Sequence, residues 1–416
     1  MNITTNNNFK HSDIWFFYVM VIVLGVFPDV MIDSPWSINL GGLNFGIGDV
    51  LNFGVLFSFF YVMISSRTRR SLFKEKIYSI LIILILLSLF TGFTKYSYRA
   101  IGELRYYIQL FTISVAFLLT SKYRIDAGNI FDIIQRTLKL LAWISVFLFL
   151  IYMFFFKHRN YDFRDLKALG TNQSFYIGAL FAWLIAKPIL GHEIKLIVWA
   201  EIFFLFTILI LSENRTALVS ILLSVLIFVF VKMRVRLYVY IILFFIVSSF
   251  VLSTTEPTIY NNLSMAYINI INPSRDPNAN WRILVQIDAI EQGMRTFWFG
   301  QGLGGYFNFY VPGLPVIEAY PHSQYVLLFL TSGIISTLCA FGAIISYIIR
   351  YFYLVKKNKT IHDSPELLAL AIIILAQIFY GFAYIFIPIF GLLYGWGIIA
   401  SEKISNIPYY EKQAVD

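Results

Sequence analysis

Charge is scarce in this chain. Asp, Glu, Lys and Arg make up 13% of its 416 residues, while hydrophobic residues make up 59%. That imbalance excludes an ordinary soluble domain, because the polar surface is too small to cover the apolar one, and lipid must be the main solvent. Mean hydropathy is +0.73. Cysteine is nearly absent. Cys339 is the only one and lies inside an apolar run, so no disulfide, thiolate metal site or redox motif is expected. No internal repeat or low-complexity tract stands out beyond Asn6 to Asn8. No small-residue cleavage site follows the first apolar run, which begins at Ile14. PDVMIDSPW follows it, so that run reads as a retained span and not a removed signal peptide.

The formal net charge of +9 raises the question of nucleic acid. The positive residues, however, fall in short clusters between apolar runs: RTRR at 67–70, KMRVR at 232–236 and KKNK at 356–359. Loop topology produces that pattern. No polar domain interleaves basic and aromatic residues, so nucleic acid is not an expected partner and the lipid bilayer is.

A span needs roughly 20 apolar residues, and about twelve such runs are present. They fall near 14–28, 49–64, 77–93, 103–120, 131–156, 174–187, 194–211, 215–231, 237–253, 322–349, 366–386 and 388–400. The fold class expected is an all-α integral membrane protein, with residues 1–416 forming a single polytopic domain. Pro388 marks a kink between the last two runs. With both termini in the cytoplasm, the loops at 65–76, 232–236 and 350–365 are all inside, the side that positive charge prefers. Residues 254–321 then form a large outer loop.

That loop holds Arg275, Arg282, Arg295 and a glycine-rich turn, and His322 follows it where the next apolar run begins. From Trp281, apolar Ile283, Leu284, Ile287, Ile290, Met294 and Phe297 recur at helical steps, the pattern of an amphipathic helix that lies on the membrane or caps the bundle. Glu291 stands four residues before Arg295, the order that favours a local ion pair. Arg282 has no acid three or four residues away. Its fork is therefore available to an external anion such as a phosphate, or to lipid headgroups by snorkelling. Arg215, in SENRTALVS, opens a span whose N-terminal N–H groups already favour anions, with Ser212 or Asn214 as cap and Glu213 as an alternative partner.

His322 follows Pro321, a residue suited to a first helical turn. The positive end of that helix favours the neutral imidazole, which can accept a proton from a sugar hydroxyl. A lone histidine is more often structural, and no second ligand lies at metal spacing around it. The run Gly300, Gly302, Gly304 and Gly305 reads as a turn that could offer N–H groups to a ligand; no GK[ST] follows, so it is not a P-loop. Arg99 and Glu103, four residues apart, form a candidate pair at the outer end of a span.

Three pieces in order, SENRTALVSILLSVLI, then WRILVQIDAI…FWFGQGLGGYF, then PHSQYVLLFLTSGII, resemble the O-antigen polymerase and O-antigen ligase superfamily of bacterial polysaccharide assembly. The likeness covers roughly residues 205–345. It implies a multi-spanning glycosyltransferase of the bacterial inner membrane. Such an enzyme uses undecaprenyl-pyrophosphate-linked oligosaccharide as donor, with neither metal nor cofactor, and acts on the periplasmic face. Residue by residue, it implies Arg215 and Arg282 as pyrophosphate contacts and His322 as the group that activates the acceptor. Arg275, Arg295, Tyr320 and Ser323 are additional candidates, and a chain-length regulator protein is a candidate partner. Relatives often carry His-Asn where this chain has His322-Ser323, so the asparagine's role does not transfer. A polymerase, which adds the growing chain to another lipid-linked repeat unit, is the favoured member. A ligase transferring to lipid A core is the alternative. A transporter or flippase of lipid-linked oligosaccharide is a third reading, disfavoured because the polar candidates gather at one face and not at the midplane.

Overall fold

The computed structural model describes residues 38–40, 43–45, 47–65, 72–123, 125–151, 171–212, 214–232, 277–305, 308–309, 317–318, 321–357 and 364–405. Helices dominate. Among the described residues the exceptions are two pairs of antiparallel strands: β1 (Ile38–Leu40) with β2 (Leu43–Phe45), and β3 (Asn308–Phe309) with β4 (Ile317–Glu318). In chain order the helices are α1 (Ile47–Ile64), α2 (Lys76–Tyr96), α3 (Arg99–Leu104), α4 (Ile108–Phe111), α5 (Ile113–Tyr123), α6 (Ala127–Ile151) and α7 (Thr171–Leu190). There follow α8 (Leu196–Leu211), α9 (Arg215–Val231), α10 (Pro277–Met294), α11 (Gln324–Lys357), α12 (Pro365–Gly381) and α13 (Phe390–Ser405).

Four of these, α2, α6, α7 and α11, are long and apolar enough to cross a membrane, and the bent series α3 to α5 makes a fifth. Together with the exposed Phe57, Phe90, Phe147 and Phe230 on outward faces, they make this an integral membrane protein. The expected spans at 14–28 and 237–253 lie outside the described residues. α8, α9 and α12 are apolar but shorter, at 16, 17 and 17 residues.

α7 is the central helix. It packs against α6, α8, α9 and α12, and nearly all its side chains are buried. Gly178 explains the close approach: a methyl there would lie 2.7 Å from Ile221 Cγ1 and 3.4 Å from Leu209 Cδ2. Small residues let membrane helices approach in this way.

Three expected spans are not straight helices. The run at 103–120 breaks at Thr112, with a bend of 47°. There the Thr112 Oγ1 accepts the backbone N–H of Leu392 at 3.0 Å and donates to Gln109 O at 2.7 Å, so side chains replace part of the backbone ladder. The run at 366–386 stops at Gly381, five residues early. Its continuation is irregular backbone, buried from Phe386 and held there by glutamines: Gln324 Oε1 accepts from Phe386 N at 3.2 Å and from Gln109 Nε2 at 2.9 Å, and Gln377 Oε1 accepts from Ile387 N at 3.2 Å. Irregular backbone is tolerated inside a membrane protein only when its polar groups find such partners.

The third departure is α11, which breaks at Gly333 with φ 80° and ψ 178°. The segment after α10 threads into the break. Phe297 O accepts from Ile334 N at 2.9 Å, Gln301 N donates to Leu330 O at 3.0 Å, and Gly302 N donates to Thr331 O at 3.0 Å. Past the break, the remainder of α11 is about 36 Å long at 1.5 Å per residue, enough by itself for a bilayer core of ~30 Å.

Candidate functional site

Arg282 belongs to the second turn of α10. The helix turns its small residues inward: Val285 and Ala289 are fully buried with Leu330, against Val326, and a methyl on Gly293 would meet Phe329 Cε1 at 2.7 Å. The larger apolar residues expected to make its face, Ile283, Leu284, Ile287, Ile290 and Met294, stay exposed. Small residues on the α10 side, facing Leu330 and Phe329 of α11, therefore let the two helices approach closely. That close seat fixes where Arg282 stands.

Arg282 Nη1 donates to the Tyr384 hydroxyl at 3.2 Å, and its guanidinium carbon lies 5.2 Å from the centre of the Tyr384 ring. Tyr384 follows α12 in the irregular connection to α13. His322 enters the same group: its ring centre is 6.5 Å from that of Tyr384 and 5.8 Å from that of Trp281, both edge to face. Tyr384 stacks on Tyr380 at 5.7 Å. The Tyr380 hydroxyl donates to Asn172 Oδ1, at the start of α7, at 3.0 Å. A cation, an imidazole and three phenol or indole rings thus meet where α7, α10, α11 and α12 end.

Arg215 opens α9. Gly178 abuts Ile221; the first lies six residues past Asn172 and the second six past Arg215. Asn214 caps α9, its side chain accepting from Ala217 N at 3.3 Å, so Arg215 is the first helical residue.

His322 does not open a helical turn. α11 starts at Gln324, and Ser323 is its cap, accepting from Val326 N at 3.4 Å. Pro321 and His322 thus precede the cap. The reason is the Ser323 hydroxyl, which also donates to Gly381 O at 3.0 Å and so ties the start of α11 to the end of α12. Ser323 is 1% exposed.

Arg295 stands apart from this cluster. It is exposed, just past α10. Glu291 is not ion-paired to it among the described residues; its electrostatic neighbour is Asp288. Partial burial raises the Asp288 carboxyl above its ordinary range, and the Gln292 amide that bonds it at 2.9 Å works in the other direction. Arg275 and Tyr320 lie outside the described residues.

The glycine turn offers little to a ligand. Its N–H groups are already engaged: those of Gln301 and Gly302 by carbonyls of α11, that of Leu303 by Ser88 O at 3.0 Å, and that of Gly304 by the carboxylate of Glu103. Glu103, paired on paper with Arg99, is 1% exposed and turned toward this turn. Among the described residues no group of three His, Cys, Asp or Glu side chains could hold a metal ion.

Sequence reasoning missed Tyr384, Tyr380 and Asn172. The first two were absorbed into a span expected to run to 386. The bracket of Gly381 and Pro388 around FAYIFI was the available signal that the helix stops and its aromatic residues sit at an end.

Residues 201–341 match the family model described as O-antigen ligase. The resemblance to the O-antigen ligase and polymerase superfamily is thereby shown over a stretch that includes Arg215, Arg282 and His322. Tyr384 lies beyond it. A comparison with curated proteins finds no match.

Proposed function

We propose that this chain is an O-antigen polymerase: a membrane glycosyltransferase that moves a polyprenyl-pyrophosphate-linked glycan onto another lipid-linked repeat unit. The observation that supports glycosyl transfer is the gathering of Arg282 and His322 around Tyr384; Arg215, at the first turn of α9, is the second guanidinium of the reading. A diphosphate held there meets guanidinium forks and a helix N-terminus together.

The chemistry follows from those groups. A hydroxyl of the acceptor sugar attacks the anomeric carbon, and the bond from that carbon to the diphosphate oxygen breaks. His322 takes the hydroxyl proton. Arg282 and Arg215 stabilise the charge that accumulates on the departing diphosphate. One displacement inverts the anomeric centre. Donor and acceptor are both lipid-anchored, so the reaction must occur beside the bilayer. In the twelve-span arrangement that puts positive loops inside, the site faces the periplasm. Ser323 serves as cap and tie, and Arg295 is peripheral.

Transfer to lipid A core is the second reading, favoured by the description of the matching family model. Lipopolysaccharide from a deletion strain separates the two. Core carrying one repeat unit indicates the polymerase. Bare core with polymer retained on the carrier lipid indicates the ligase. Unextended units held on the inner leaflet would contradict both and indicate a flippase.

A further inference from the structure

We propose that Tyr384 is the positioning residue that holds the Arg282 guanidinium beside His322, an inference that rests on the diphosphate reading of this site. Arg282 has no acidic neighbour on its own helix turn; its described tether comes from α12's end, through both the hydroxyl and the ring of Tyr384. A guanidinium carries five N–H donors in a fixed plane. One donor on Tyr384 orients that plane and still leaves enough for a two-point contact with phosphate oxygens. The ring beneath the cation adds a cation–π attraction.

Tyr384 is itself held from several sides. Its N–H donates to Tyr380 O at 2.9 Å and its carbonyl accepts from Gln324 N at 3.2 Å. Its ring rests on Tyr380, which is fixed to Asn172 of α7. The His322 imidazole is set edge to face with the same ring, centres 6.5 Å apart. One side chain on an otherwise irregular connection therefore sets the spacing of cation and imidazole across three helices. Such a supporting contact is what preorganisation of a charged site requires.

The test is a binding cycle on the purified full chain, with farnesyl pyrophosphate as probe and farnesol as the control that lacks the diphosphate. Arg282→Ala should weaken farnesyl pyrophosphate binding more than tenfold and leave farnesol binding unchanged. Tyr384→Phe keeps the ring and removes the hydroxyl. It should weaken binding by about tenfold, the lower end of what a hydrogen bond to a charged group supplies. Arg282→Ala with Tyr384→Phe should bind within about twofold of Arg282→Ala alone, because the two residues act through one contact. A merely structural tyrosine would lower thermal stability and give additive losses. Tyr384→Phe with wild-type affinity, or additive losses in the cycle, would overturn the inference while the diphosphate site stands. Arg282→Ala with wild-type affinity would overturn the site as well.

Discussion

Arg282 and Arg295 are on one helix and its final turn, yet their surroundings divide them. Arg282 is half-buried against Tyr384, so its charge works in a poorly screened setting. Arg295 is exposed, and exposed charges contribute little, roughly 0–1 kcal/mol. Arg295→Ala should therefore keep glycan transfer within about twofold of wild type. Ser323→Ala separates support from chemistry in the same way. It removes a helix cap, at a cost of about 1 kcal/mol, and cuts the tie to Gly381. Its melting temperature in detergent should fall while the turnover of folded protein is retained. A turnover loss as large as that of an arginine contact variant would move Ser323 into the reacting group.

At the scale of elements, the break in α11 is what seats the loop. Gly333 has positive φ, and a methyl there would lie 2.1 Å from Trp298 O; Gly304 has φ 85° with Ala100 N at 2.5 Å from the same added methyl. An L side chain at either position meets backbone on one side and an unfavourable dihedral on the other. Gly333→Ala and Gly304→Ala should each destabilise the protein by about 1–3 kcal/mol. Glu103 tests the same seam by chemistry. Glu103→Gln keeps an oxygen for the Gly304 N–H and should be mild. Glu103→Leu strands a buried donor and should cost about 1–3 kcal/mol. Thermal unfolding of the solubilised variants reads both. Equal melting of the Gln and Leu variants would show that the Gly304 contact carries no weight. This seam was not legible beforehand. The glycines announced a turn, but no local pattern says that the turn's N–H groups close onto α2, α3 and α11, since those partners are far away in sequence.

At the scale of the molecule, hydropathy located the apolar runs well. α1, α2 and α6 to α9 all begin within four residues of where their runs suggest. What hydropathy could not register were the places where a run is apolar but not helical: Thr112, Gly333, and 382–389 after α12. In each, a side chain or a threaded loop supplies hydrogen bonds that only the folded bundle provides. The site shows the same division. Arg215, Arg282 and His322 are candidates from charge and position, whereas Tyr384 is marked only by the bracket of Gly381 and Pro388 around it and takes its place from the irregular connection. Arg282, His322 and Tyr384 gather where α10, α11 and α12 end, and the account rests on chemistry there. The most direct measurement is the lipopolysaccharide ladder of a deletion strain complemented with His322→Ala or with Arg282→Ala, alongside the amount of each variant in the membrane. Loss of a general base costs typically 10²–10⁴ in rate, so the account predicts normal insertion and no ladder from either variant. A normal ladder from both would contradict it.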